Sequence, residues 1–202
     1  MSLVELLTDC SQVSIRTGLI HPMGKGFRAA EGLLGEDLGA VISRACRAKG
    51  LEVDLQALLN DSTACLLSQS YADPSTRLGL ILGTGSNVAA FLPVSSIRRS
   101  KYGKRPDEWF EGARQVVVNT EVSMYGKDVL PLTRWDWELK KGHEMPWFQP
   151  LEHMCSGMYL GECARLPLVE AIERMGVFGG IVPESLLVPY ALHTEMLSLV
   201  ES

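Results

Sequence analysis

The stretch from residue 78 to residue 92 constrains this chain more than any other. An apolar run, Leu78–Leu82, stops at Gly83-Thr84-Gly85-Ser86-Asn87 and resumes at Val88–Leu92. Apolar, glycine-rich, apolar is the pattern of a hairpin whose turn lets something approach its backbone. Two further apolar runs share the design. Leu55–Leu59 reads as a buried strand leading into Asn60-Asp61-Ser62, and Gln115–Asn119 as a strand ending in Asn119-Thr120-Glu121. Ligand sites of α/β sheets gather at strand ends, where backbone groups lie unpaired and side chains converge.

Helices fill the intervals. Leu38, Val41, Ile42, Ala45 and Cys46 recur at helical spacing over Glu36–Lys49, with Gly50 at the stop position. Asp61 and Ser62 can cap a helix over about 63–71, which Asp73-Pro74 closes. Leu151, Cys155, Tyr159, Cys163, Leu166, Val169 and Ile172 form a stripe over one long helix, and Pro167 inside it predicts a kink. Pro183-Glu184 opens a last helix to about Val200, broken near Pro189. Arg98, Arg99, Lys101, Lys104 and Arg105 read as a solvated basic loop between strands. The chain is mixed α/β.

Composition removes several classes. With 202 residues, 46% of them hydrophobic and 21% charged, the chain can bury a real core. A net charge of −5 argues against a general nucleic-acid binder, which needs excess Lys and Arg against phosphates. Its longest apolar runs are too short to cross a bilayer, and no export leader is visible. A cytoplasmic protein with no membrane partner is expected. The five cysteines are odd in number and lack a C-x-x-C pair, which predicts buried reduced thiols. The four histidines are scattered without H-E-x-x-H spacing, so no metal site is expected.

Five collinear segments together resemble the hexokinase family. They are Gly18-Leu19-Ile20 leading to Met23-Gly24-Lys25-Gly26-Phe27; Leu58-Leu59-Asn60-Asp61-Ser62; L-G-L-I-L-G-T-G-S-N from Leu78 to Asn87; Val118-Asn119-Thr120-Glu121; and Leu151-Glu152-His153-Met154 running into Ser156-Gly157-Met158-Tyr159-Leu160-Gly161-Glu162. The resemblance implies an actin-like ATPase (ribonuclease H-like) fold and transfer of the γ-phosphoryl group of ATP to the 6-hydroxyl of a hexose. It implies Asp61 as the base for the hydroxyl proton, and Asn60, Asn87, Glu121 and Glu152 as the sugar cradle. Amides and carboxylates suit sugar hydroxyls, which both donate and accept. Lys25 would bring positive charge near the sugar and the transferring group. Gly83, Thr84 and Gly85 would form the phosphate turn, and Mg²⁺ would arrive with ATP.

Departures from the family pattern shape the expectation. The D-x-G-G-T-N-type phosphate turn is not found, the S-F/Y-P segment is not recognisable in residues 6–10, and the Asp-Gly-Ser adenosine element would lie beyond Ser202. An incomplete fold is therefore expected, with residues 1–61 from the small lobe and 62–202 from the large lobe. Apolar surface left uncovered in such a piece predicts self-association. Val122 and Ser123 follow Glu121 where the family usually has an aromatic residue and glycine. Met23-Gly24 stands where glucose-specialised members carry Trp-Thr, which leaves room for an N-acetylhexosamine substrate such as N-acetylglucosamine. A non-catalytic, sugar-sensing hexokinase-like protein is the alternative. A dinucleotide fold is not supported, because no G-x-G-x-x-G is present.

Overall fold

A computed structural model describes residues 2–3, 10–21, 29–102 and 105–201. Lys25, the Met23-Gly24 pair and Lys104 lie outside the described residues. The chain divides into two compact units, Met1–Ile81 with Asn87–Glu121, and Leu82–Ser86 with Val122–Ser202.

Among the described residues, the first unit holds two sheets. Strands β1 (Ser2–Leu3), β4 (Leu78–Leu82), β5 (Ser86–Pro93) and β6 (Gln115–Asn119) form one sheet in the order β1-β6-β5-β4, and β2 (Cys10–Ser14) with β3 (Thr17–Ile20) form an antiparallel pair. Register sets Ala89 opposite Asn119 and Phe91 opposite Val117. Because side chains alternate across a strand, residues 89, 91, 117 and 119 share one face. Helix α2 (Asp61–Ala72) covers that face, with Leu66, Ala89 and Val117 fully buried together. The other face carries Val116 and Val118 against Val94 and Tyr102. Both faces of β6 are thus covered, which is why its run of valines is continuous rather than alternating.

Gly79 shows how closely α2 lies on β4: a Cβ there would stand 2.7 Å from the Leu66 nitrogen and 2.9 Å from the Ser62 oxygen. Helix α1 (Leu38–Ala48) starts at Asp37, whose carboxylate accepts from the N–H groups of Gly39, Ala40 and also Gly18. That cap ties the helix to β3.

Three expectations change here. Leu55–Leu59 is not a strand; residues 51–60 are irregular, with Leu58 N donating to Ile15 O at 2.8 Å. Their apolar side chains are half-buried or exposed, with Leu59 at 38%, and none is enclosed in a sheet. The basic stretch is not a bare loop. It forms short 3₁₀ turns leading to α3 (Asp107–Gly112), where Arg99 pairs with Asp107 and lies 4.3 Å over the Phe110 ring, and Arg105 lies over Trp109. Tyr102 within it is buried, donating to Val94 O at 2.8 Å. Third, the thiols of Cys46, Cys65, Cys155 and Cys163 are free but not deeply buried, and Cys65 is exposed on the face of α2 turned away from the sheet. The Cys10 side chain lies outside the described part.

The second unit is helical: α4 (Arg134–Lys141), α5 (Glu152–Cys155), α6 (Gly157–Met175), α7 (Glu184–Leu187) and α8 (Thr194–Glu201). Thr133 and Asp136 close a capping box on α4. The expected long helix is interrupted at Ser156, whose ψ of 153° is extended, while Pro167 sits inside the 19-residue α6. The interruption falls where the glycine turn's carbonyls take α6's first N–H groups, so the chain must turn before Gly157. The break near Pro189 is observed, separating α7 from α8. Among the described residues, no helix is long and apolar enough to cross a membrane.

Candidate functional site

In the first unit, the N-terminus of α2 meets the ends of β5 and β6. Asn60 is the α2 cap, its Oδ1 accepting from Ser62 N at 2.9 Å and Ser62 Oγ at 2.6 Å. Asn87 lies two residues before Ala89, so strand alternation turns it to the side that α2 covers. Its Nδ2 donates to Asn119 Oδ1 at 2.7 Å, with longer approaches to Glu121 Oε1 at 3.4 Å and Asn60 Oδ1 at 3.5 Å. Asn119 Nδ2 in turn donates to Glu121 Oε1 at 2.8 Å.

Glu121 reaches this network through an unusual backbone. Thr120 N and Oγ1 both donate to Val88 O, extending the ladder by one residue, and Glu121 then adopts φ +47. A left-handed non-glycine residue costs about 1–2 kcal/mol, and here it turns the carboxylate back to its neighbour two positions earlier. Asp61 follows Asn60 directly, exposed, with Oδ1 accepting from Ser62 N at 2.8 Å. Asn60, Asp61, Asn87 and Glu121 are therefore brought to one end of one unit. Asn119 joins them as the buried link, 2% exposed. Its signal was its inward register on β6, two residues after Val117.

Glu152 belongs to the second unit, with the glycine turn. It is 1% exposed, and its Oε2 accepts from Ser86 N at 2.7 Å. Ser123 Oγ donates to Ser86 O, and the two hydroxyls lie 2.8 Å apart. Glu152 and Ser123 thus grip one residue of the turn from both sides of its peptide. Gly83 N donates to Gly85 O, while Gly83 O and Thr84 O accept from Gly157 N at 2.7 Å and Met158 N at 3.3 Å. A Cβ on Gly157 would press on Gly83 O at 3.1 Å, whereas one on Gly83 would meet nothing within 4 Å. The protein's own packing is therefore tight at 157, where Gly83 O would have to give by a few tenths of an ångström, and open at 83.

Beside this turn lies a recess of about 490 Å³, lined by Thr84, Gly157, Met158, Tyr190, Leu192 and Thr194, with His193 at the same wall. It joins the turn to the segment between α7 and α8, which the sequence pattern did not single out. Burial, and next the Glu162 charge, push the Tyr190 phenol above its ordinary value. Burial also lowers Lys140, whose Nζ lies 3.4 Å from His153 Nδ1 and 3.3 Å from Pro146 O. His143 and His153, ten residues apart in sequence, have ring centroids 4.5 Å apart. Among the described residues, no group of three or more His, Cys, Asp or Glu could hold a metal ion.

Comparison with known proteins gives a consistent answer. Two family models, each described as hexokinase, match residues 8–71 and 77–202. The chain is 34% identical to Hexokinase-2 of Candida albicans over 95% of its own length and 40% of that protein's. It is 36% identical to the chloroplastic Hexokinase-2 of Nicotiana tabacum over 91% of its length and 35% of that one's. Among solved structures it is similar to the hexokinase from Schistosoma mansoni complexed with glucose, with a TM-score of 0.80 and 32% identity over 95% of this chain and 42% of that one. It thus spans about two fifths of the length of the curated relatives it matches. The family model over residues 77–202 covers more than half the chain, the neighbours carry the actin-like fold expected from the sequence, and the chain belongs to the hexokinase family.

Proposed function

We propose that this chain carries the sugar side and part of the phosphate side of an ATP-dependent hexose kinase, which moves the γ-phosphoryl group to the 6-hydroxyl of a hexose. The observation that carries the reading is the convergence of Asn60, Asn87, Asn119 and Glu121 beside Asp61. Phosphoryl transfer asks the protein mainly for positioning and charge stabilisation. Asp61, exposed at the helix start, accepts the hydroxyl proton. The amides and Glu121 orient the ring hydroxyls, and their mutual hydrogen bonds hold them ready before sugar arrives. Glu152 is the sugar-binding residue of the second unit in this reading, and it also holds Ser86. Lys25 supplies positive charge.

Mg·ATP is the co-substrate in this reading and supplies the phosphoryl group. The open space over Gly83 lets phosphate oxygens approach the turn's backbone, and the recess beside Thr84 and Gly157 suits the rest of the nucleotide. The residue pattern of small lobe over 1–61 and large lobe over 62–202 is proposed with it, as is a cytoplasmic location. Glucose is the first sugar to test, because the Schistosoma mansoni neighbour was solved with it. N-acetylglucosamine is the second, on the strength of Met23-Gly24. Leu78, Leu80 and Leu82 stand 60%, 54% and 63% exposed along β4, at the edge of its sheet among the described residues. Self-association through that strand is expected as a rise of scattering mass with concentration.

The direct experiment measures ADP release from the protein with Mg·ATP and glucose, mannose, fructose or N-acetylglucosamine, with Asp61→Asn as control. Turnover that disappears in the variant supports the proposal. Turnover that survives it removes Asp61 from the chemistry. Saturable sugar binding without ADP release favours the sugar-sensing alternative.

A further inference from the structure

Two buried charges on α6 have no part in the sugar cradle. Arg165 Nε and Nη2 each donate to a different oxygen of Glu162, both at 2.6 Å, and the two side chains are only 8% and 5% exposed. Such a pair is costly to desolvate and is not by itself a source of stability. Here each partner also reaches beyond the pair. Arg165 Nη1 donates to Leu186 O at 2.7 Å, and Glu162 Oε2 accepts from Tyr190 N at 2.7 Å. The two anchors flank Pro189, and Tyr190 is held at φ +60.

The far end of the same segment is pinned as well. Gly161 N donates to Thr194 Oγ1 at 3.0 Å, Thr194 Oγ1 donates to Gly157 O, and a Cβ on Gly161 would overlap the Leu192 carbonyl. Residues 186–194 therefore lie as a strap on α6, and this strap supplies Tyr190, Leu192, His193 and Thr194 to the recess opposite Thr84.

We propose that Glu162 and Arg165 are positioning residues that clamp the strap and so shape the recess for the nucleotide. This rests on the nucleotide reading of the recess given above. The pair touches no ligand; it acts through the backbone at 186 and 190. A charge pair suits the task because each group has more hydrogen-bonding capacity than its partner uses, and the surplus is spent on the strap.

The test compares the unaltered protein with Glu162→Leu/Arg165→Met and with Arg165→Lys. The double variant removes both charges and leaves no buried ion unpaired, so it is the one expected to fold. Hydrogen exchange at residues 186–194 reads the clamp, and calorimetric titration with Mg·ATP reads the recess. In the double variant, strap exchange should quicken at least about tenfold and the Mg·ATP Kd should rise about tenfold, with glucose affinity within about twofold of the original. Arg165→Lys keeps the charge opposite Glu162 and the Tyr190 bond, and should recover part of the loss. Unchanged strap exchange in a folded double variant overturns the clamp. Faster exchange with unchanged Mg·ATP affinity, or equal loss of both ligands, overturns its role in the recess. If the unaltered protein takes up no Mg·ATP, the nucleotide reading fails and the recess role with it, while strap exchange still decides whether the pair is a clamp.

Discussion

The two units solve the same problem, placing polar groups at the ends of apolar elements, in opposite ways. In the first, side chains hold side chains: Asn87 to Asn119, Asn119 to Glu121, with Asn60 near Asn87. In the second, side chains hold backbone: Glu152 and Ser123 grip Ser86, Glu162 and Arg165 grip the strap. The difference teaches what each arrangement can offer a ligand. A network of amides can exchange one partner for a sugar hydroxyl at little net cost, because donor and acceptor are replaced in kind. A carboxylate committed to backbone instead fixes a loop's course, which suits recognition by main-chain groups and shape.

The comparison can be broken at its most reactive point first. Asp61→Asn should lower turnover by about 10²–10⁴-fold with sugar affinity little changed, since general base catalysis is worth that much. A loss confined to KM would reassign Asp61 to binding. Next, Glu152→Ala leaves the buried Ser86 N–H without its acceptor and should cost about 1–3 kcal/mol in denaturant unfolding, while Glu152→Gln, which keeps an oxygen, should cost visibly less. Equal costs would mean that charge, not the Ser86 bond, is what matters there.

Asn119→Ala tests the first unit on the same scale. Its loss should cost about 1 kcal/mol in stability but weaken sugar binding more, because Asn87 and Glu121 lose the link that holds them. Calorimetry on a variant that keeps full sugar affinity would show that the link is dispensable.

A pH effect is expected in the second unit. Burial, then the charges of Asp136 and Glu162, push the Cys163 thiol up to about 11 from 9.0. Between those values the folded thiol keeps a proton that the unfolded one has lost, so stability falls as pH rises. That contribution is intact below pH 9 and declines through about 11, and Cys163→Ala should flatten the decline in a pH series of melting temperatures. Smallest of all, Gly83→Ala should leave stability nearly unchanged, because its Cβ meets open space, while Gly157→Ala, pressing on Gly83 O, should lower it. Mg·ATP affinity should fall in both.

Much of this was legible in the residues. The apolar runs at 78–82, 88–92 and 115–119 became strands, and a helix follows residue 60, although Asn60 caps it where Asp61 and Ser62 were expected to. These outcomes follow from local physics: alternation, capping, and the need to bury apolar faces. Leu55–Leu59 misled because a short apolar run does not say whether a neighbouring strand exists to pair with it. The basic stretch misled because charge counts do not register guanidinium packing over Phe110 and Trp109.

The order of the chain alone therefore determined most of the elements, the polar tips of β5 and β6, and the motif that links the chain to its family. Only the tertiary structure decided that Asn119 links Asn87 to Glu121, that Glu152 holds Ser86 across 66 residues of sequence, that His143 packs on His153, and that Glu162 and Arg165 clamp a strap. The reason is one of range. Propensity, capping and periodicity act over a few bonds and are written in neighbours, whereas a buried polar atom takes whichever partner folding brings within about 3 Å.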